Sequence, residues 1–305
     1  MKGLGTRVIS GVVLLALVLT AIWLQGLLLM FVVALASGLA AHEFYEIARR
    51  AGYAPWYPAS IALSLLLAMR GYLGGKDLLA GVPYIGPGTG VEITVLAIVL
   101  VLVLVRQGAI WLRAPVAAGR STLTTTSSSV NEYATAPGWA NLGLTLGGAI
   151  YTGGLLGYVP MLAALQDGPG RAAGMFWLLA VIACTAACDT GAYFVGSLFG
   201  SHKLIPHISP AKTWEGLAGG TLGTVIASIV LSGLLKLSLI PAVILGLVIC
   251  AAAVAGDLCE SLLKRAARVK DSGHLIPGHG GILDRVDSIV FVLVAVYWFT
   301  QVVIG

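Results

Sequence analysis

Nine apolar runs divide this chain, at residues 8–24, 27–41, 56–73, 93–112, 142–165, 175–199, 217–235, 239–255 and 286–304, and they decide what it can fold into. A helix crossing the hydrocarbon of a bilayer needs about 20 apolar residues. The runs approach or exceed that length, two of them being short. None alternates polar and apolar positions, as the wall of a membrane barrel must, so helix is the form in which they satisfy their backbone groups in lipid. Composition agrees. Hydrophobic residues make up 58% of the chain and charged ones 10%, whereas a soluble domain carries about a quarter charged residues. Lipid is therefore its main solvent, and the expected fold is an all-α, polytopic bundle of about nine membrane-spanning helices.

Lys2 and Arg7 ahead of the first run could introduce a cleavable signal peptide, with Ala34 and Ala36 marking a processing site. The apolar region is longer than a signal core and more spans follow, so a retained first helix is expected. The formal net charge is +5. Arg49, Arg50, Arg106, Arg113 and Arg120 read as bases of cytoplasmic loops. Without a soluble basic domain or interleaved aromatic and basic residues, nucleic acid is not an expected partner. Cys184 and Cys188 share a helix face and could meet a soft metal. As small apolar fillers of a packed span, they need no such role.

Three kinds of text follow one another. Residues 1–114 are apolar spans with chemically plain connections. Residues 115–141 are polar, with a Ser/Thr-rich centre at 121–129 that reads as a flexible loop. From 142 to 305 acids and bases appear within or against the spans. Between Asp189 and Asp287 lie Asp189, Glu215, Asp257, Glu260, Asp271, Asp284 and Asp287, more than half of the chain's 13 acids. Ionisable groups are costly in lipid, so those that occur there face a cavity or a partner and mark function.

The densest stretch is 256–271. On a helix continuing from the preceding apolar run, Asp257, Ser261, Lys264 and Arg268 are spaced 4, 3 and 4 apart and share one face, flanked by Glu260 and Arg265. Two readings stand: a polar cleft bearing acids and bases, or a solvated helix end with ion pairs such as Glu260 with Lys264. The segment after it carries Gly278, His279, Gly280 and Gly281, a backbone able to approach a ligand closely and to offer N–H groups to phosphate. It leads to Asp284, Arg285 and Asp287 at the mouth of the last span. Such acids suit Mg²⁺, which takes oxygen ligands and shares substrate phosphates. A glycine turn with one capping Asp explains a single acid, and leaves Arg285 and the second acid unaccounted for.

From Ser261 to Asp287 the sequence resembles the signature of the phosphatidate cytidylyltransferase (CDP-diacylglycerol synthase) family. The residues that carry it are Ser261, Lys264, Arg265, Lys270, Asp271, Gly273, Ile276, Pro277, His279, Gly280, Gly281, Ile282, Asp284, Arg285, Val286 and Asp287. Two upstream segments are similar to the family as well. One is Asp189 and Tyr193 with Gly191, Gly196 and Gly200, small residues that let helices approach closely; a structural hydrogen-bonded acid is the competing reading of Asp189 alone. The other is Ser209, Pro210, Lys212, Thr213, Glu215 and Gly216. Here Ser209 as N-cap and Pro210 at N1 would start a helix, with Lys212 and Thr213 in its anion-attracting first turn. An ordinary interfacial helix start with a snorkelling lysine is the alternative. The resemblance covers roughly 142–304. His42, Glu43 and Glu46 approach a zinc-helix pattern but lack its second histidine; these acids are expected to face a polar interior or the interface, with no catalytic role.

The resemblance implies transfer of CMP from CTP to phosphatidic acid, giving CDP-diacylglycerol and pyrophosphate, with Mg²⁺ as cofactor and room for a second metal ion. Asp257 and Asp284 are then the expected metal ligands, with Asp287 and Asp189 as further candidates. Lys264, Arg265, Lys270 and Arg285 would hold phosphates. Lys212, Ser209, Thr213, Ser261 and the Gly280 and Gly281 backbone would complete the cradle, and His279 would donate to phosphate or hold the loop. CTP, phosphatidic acid and membrane lipid are the expected partners, with room for a homodimer. The expected location is a bacterial inner membrane, with the site facing the cytoplasm. Rival readings are a CTP-dependent lipid kinase, a transporter whose acids form an ion path, and a non-catalytic scaffold.

Overall fold

A computed structural model describes residues 2–73, 138–165, 173–273, 275 and 280–303. Within them the chain is helical but for one hairpin: α1 (Lys2–Leu24), α2 (Gly26–Arg50), α3 (Tyr57–Leu73), α4 (Gly138–Ala149), a π-helical turn (Ile150–Gly154), α5 (Tyr158–Ala163), α6 (Ala173–Phe199), β1 (Lys203–Ile205), β2 (Ser209–Thr213), α7 (Trp214–Leu235), α8 (Leu239–Ala266) and α9 (Leu283–Val303). Among the described residues six helical segments are long and apolar enough to cross a membrane, and Val8–Leu24 and Tyr57–Arg70 are shorter apolar helices. The chain is an all-α polytopic protein. The expected run at 93–112, the Ser/Thr-rich centre at 121–129, the boundary at 114 and His279 lie outside the described residues. α4 begins at Gly138, inside the stretch read as 115–141.

The last four long helices form an antiparallel series. In α6 and α7 the contacts run in opposite senses: a Cβ on Gly200 or Gly196 would meet Thr213, one on Gly191 would meet Gly219, and one on Gly223 would meet Ala187. Small residues at these positions bring two backbones together in lipid, where packing rather than the hydrophobic effect holds helices. α7 meets α8 through Ser228, whose Oγ donates to the Ala242 carbonyl at 2.7 Å. α8 and α9 meet at Gly256, where a Cβ would strike the Asp287 carbonyl and lie 3.0 Å from Ser288 Cα. Because the series alternates direction, the end of α6, the start of α7, the end of α8 and the start of α9 all emerge at one end of the bundle.

α2 and α3 meet α4 and the π-helical turn through polar contacts. Tyr45 Oη donates to the Thr145 carbonyl at 2.8 Å, and Ser64 and Thr152 share a hydrogen bond of 3.0 Å. The π-helical turn turns Gly153 and Gly157 onto the backbone of α3, against Ser64 and Leu67. The cysteines are buried and free; Cys188 meets Cys250 across two helices at 3.6 Å, and not its helix neighbour Cys184.

One expected helix start is corrected. Ser209, Pro210 and Lys212 belong to an extended strand paired antiparallel with β1, Lys203 opposite Thr213 and Ile205 opposite Ser209. The N-cap of α7 is Thr213, whose Oγ1 accepts from Gly216 N at 3.1 Å. Proline fits because an isolated two-stranded ribbon leaves outward N–H groups unpaired, and threonine caps in serine's place.

Gly191→Val should overpack the α6–α7 seam and lower stability by about 1–3 kcal/mol. Gly233→Ala, which would meet nothing within 4 Å, should be neutral or stabilising by up to about 1 kcal/mol. Thermal unfolding of the two variants in detergent checks the contrast.

Candidate active site

At the end of the bundle where α8 finishes and α9 begins, charged side chains from three elements meet. Asp257, Glu260, Ser261 and Lys264 project from successive turns of α8. Ser261 Oγ donates to Asp257 Oδ1 at 3.3 Å. Lys264 stands between two carboxylates: it pairs with Glu260 one turn earlier, and its Nζ lies 2.8 Å from Asp284 Oδ1 on α9. Glu260 is 1% exposed, so the Glu260–Lys264 pair is a buried one and not the solvated helix end that the spacing also allowed. From β2, Lys212 Nζ reaches Asp257 Oδ2 at 2.6 Å, which joins the hairpin to α8.

Asp287 completes a group of three carboxylates. One oxygen from each of Asp257, Glu260 and Asp287 lies within 4.8 Å of the other two. Three like charges this close repel strongly where water is scarce. Lys264 and Lys212 offset part of that, yet Lys264 is shared with Asp284. Glu260 Oε1 is buried with no hydrogen-bond partner among the described residues. An orphaned buried carboxylate oxygen beside two more carboxylates is a donor set that fits a hard divalent cation such as Mg²⁺.

Asp284 is engaged differently. Its Oδ2 accepts from Ser272 N at 3.0 Å and Gly281 N at 2.9 Å, while Oδ1 accepts from Lys264. Both oxygens are thus committed to holding the two ends of the glycine segment against α8. Gly280 adopts φ +78°, and a Cβ there would lie 2.6 Å from Asp284 Oδ2; glycine is required at this position on both counts.

The remaining expected residues spread around this centre. Arg265 is exposed, and its Nε donates to the Ile208 carbonyl at 3.2 Å, tying α8 to the hairpin. Lys270 and Asp271 are exposed beyond the end of α8. Arg268 leaves the expected face, because α8 ends at Ala266 and Arg268 takes φ +55°. Arg285 is exposed on the first turn of α9, and Asp189 is exposed on α6, outside the group of three. Ser209 sits on β2, and Thr213 spends its hydroxyl on capping α7.

Residues 5–303 match the model of the cytidylyltransferase family. The chain belongs to that family. Among curated proteins it is 43% identical over 122 residues to a phosphatidate cytidylyltransferase of Haemophilus influenzae, covering 38% of this chain and 42% of that protein. It is 40% identical over 147 residues to one of Mycobacterium leprae, covering 45% and 44%. It is also 41% identical over 129 residues to an uncharacterised protein of Escherichia coli, YnbB, covering 42% and 43%. The chain thus spans less than half the length of each of these relatives.

Three residues of this candidate site were not assigned to it from sequence. Glu260 had a signal, since it lies three residues from Asp257 and one helical turn brings the two together. Ser272 and Glu43 had none that spacing could supply. Ser272 Oγ donates to Glu43 Oε2 at 3.0 Å across 229 positions of sequence.

Asp284→Ala should unfold far more readily than Glu260→Gln. The alanine leaves the Ser272 and Gly281 N–H groups without an acceptor and takes one of the two carboxylates of Lys264, a loss of about 3–5 kcal/mol, whereas the glutamine leaves Asp284 in place to hold both N–H groups and Lys264. Denaturant unfolding of both variants in detergent measures the difference.

Proposed function

We propose that this chain transfers CMP from CTP to phosphatidic acid, releasing CDP-diacylglycerol and pyrophosphate. The observation that carries the reading is the group of Asp257, Glu260 and Asp287 beside Lys212 and Lys264 at the mouth of a membrane bundle. Family membership and the names of the relatives support it. So does the chemistry the reaction demands. A phosphate oxygen of the lipid forms a bond to the α-phosphorus of CTP, the bond from that phosphorus to the bridging oxygen breaks, and the electron pair leaves with pyrophosphate. The nucleophile is already ionised near neutral pH, so no strong base is needed. The demand is neutralisation of anions brought together in line.

In this reading Asp257, Glu260 and Asp287 hold Mg²⁺, which supplies charge neutralisation for the phosphates. Asp284 serves as the anchor of the site and Asp189 as an outer acid of the cleft. Lys212 and Lys264 offer ammonium groups to phosphate oxygens, and Arg265, Lys270 and Arg285 ring the mouth as bases. The Gly280 and Gly281 backbone lets phosphate come close. The bases crowd one end of the bundle, with Arg49 and Arg50 at the end of α2 and Lys264 and Arg265 at the end of α8. That bias supports a cytoplasmic site in an inner membrane, and the two shorter apolar helices with the apolar run at 93–112 would bring the crossings from six to nine.

Purified protein given phosphatidate, CTP and Mg²⁺ should form CDP-diacylglycerol and pyrophosphate in equal amounts, with turnover abolished by EDTA. Asp287→Asn should lower kcat at least a hundredfold and weaken Mn²⁺ binding, read directly by electron paramagnetic resonance. Release of CDP would assign the chain instead to lipid kinases. Folded protein that consumed no CTP with any lipid phosphate would end the transferase reading.

A further inference from the structure

Glu43 lies far from the family signature, on α2, and its side chain is 2% exposed. The carboxylate ends at the start of α9. Its Oε2 accepts from Leu283 N at 2.8 Å and its Oε1 from Ile282 N at 3.0 Å. These are the N–H groups of the residue before α9 and of its first residue, which have no acceptor inside the helix. A buried carboxylate placed on them, at the positive end of the helix dipole, is held by charge-assisted hydrogen bonds. Oε2 also accepts from Ser272 Oγ at 3.0 Å, so one side chain grips both ends of the glycine segment.

Two glycines make room for it. A Cβ on Gly273 would lie 2.6 Å from Glu43 Oε1, and one on Gly281 would strike Oε2 and Ser272 Oγ. These two members of the signature therefore fit around a carboxylate from outside it. The same segment is held from its other side by Asp284, through Ser272 N and Gly281 N. Asp284 is the second residue of α9 and the partner of Lys264; Asp287 stands one turn further on. Glu43 fixes where α9 starts, and so where Asp284 and Asp287 stand relative to the acids of α8.

We propose that Glu43 is a positioning residue of the carboxylate site, supplied by an N-terminal helix to fix the first turn of α9 and both ends of the glycine segment. Its kinetic consequence rests on the transferase reading; its structural consequence does not.

The test compares full-length wild type, Glu43→Gln and Glu43→Asp in detergent by three measurements: hydrogen exchange of the peptide bearing Ile282 and Leu283, kcat with CTP and phosphatidate, and thermal unfolding. Glu43→Gln keeps the volume but turns an amide toward donors, and should speed exchange at Ile282 and Leu283 about tenfold or more. Peptides of the α6–α7 seam should be unchanged. kcat per folded molecule should drop by a similar factor, with partial recovery in Glu43→Asp, which keeps the charge. A merely structural residue would lower the unfolding temperature and leave kcat per folded molecule untouched, and that result overturns the proposal. Wild-type exchange at Ile282 and Leu283 in Glu43→Gln overturns it too. If the glutamine variant does not fold, the exchange and kcat of Glu43→Asp decide by the same criteria. Wild-type protein without turnover would end the transferase reading, and the exchange comparison would then decide the placement of Glu43 by itself.

Discussion

Lys264 sits between Glu260 on its own helix and Asp284 on the next, and the site is assembled around this shared ammonium. Buried carboxylates are tolerated in a low-dielectric interior only when cations or donors compensate them. One lysine serving two acids leaves the local charge negative, and the third acid, Asp287, increases it. Such an arrangement fits the divalent cation proposed for it.

That site exists because four helices alternate direction with little sideways slack. Glycines in α6 and α7 let the backbones touch, which brings the intervening hairpin close against the bundle end. Lys212 on that hairpin then reaches Asp257, and Arg265 returns a bond to the hairpin through the Ile208 carbonyl. Close packing in the membrane and charge pairing at its edge are parts of one construction. A bulkier seam would shift the lysine as well as the helices.

The N-terminal half enters the same construction through Glu43. Helices whose sequences show only that they are apolar still deliver one carboxylate to the start of α9, where unpaired N–H groups receive it. A division into a plain N-terminal half and a chemical C-terminal half leaves this carboxylate out of account.

Sequence alone determined that the chain is helical and polytopic, since apolar runs of this length leave the backbone no other way to satisfy itself in lipid. It also placed several residues of the candidate site beside one another. Asp257, Ser261 and Lys264 share a face by helical period, and Asp284 with Asp287 by a spacing of three, because such neighbours are fixed within one turn. Only the tertiary structure decided how these residues divide their work. Asp284 became an anchor once two backbone N–H groups and Lys264 occupied its oxygens, and Glu260 joined Asp257 once Asp287 arrived from another helix. The 209–213 segment became a strand because β1 was there to pair with it, against a local pattern that suits a helix start. Glu43 took its place from 229 positions away. Periodicity carries information over a turn or two of helix; which side chains meet between elements depends on packing, and packing is not written in any single stretch of chain.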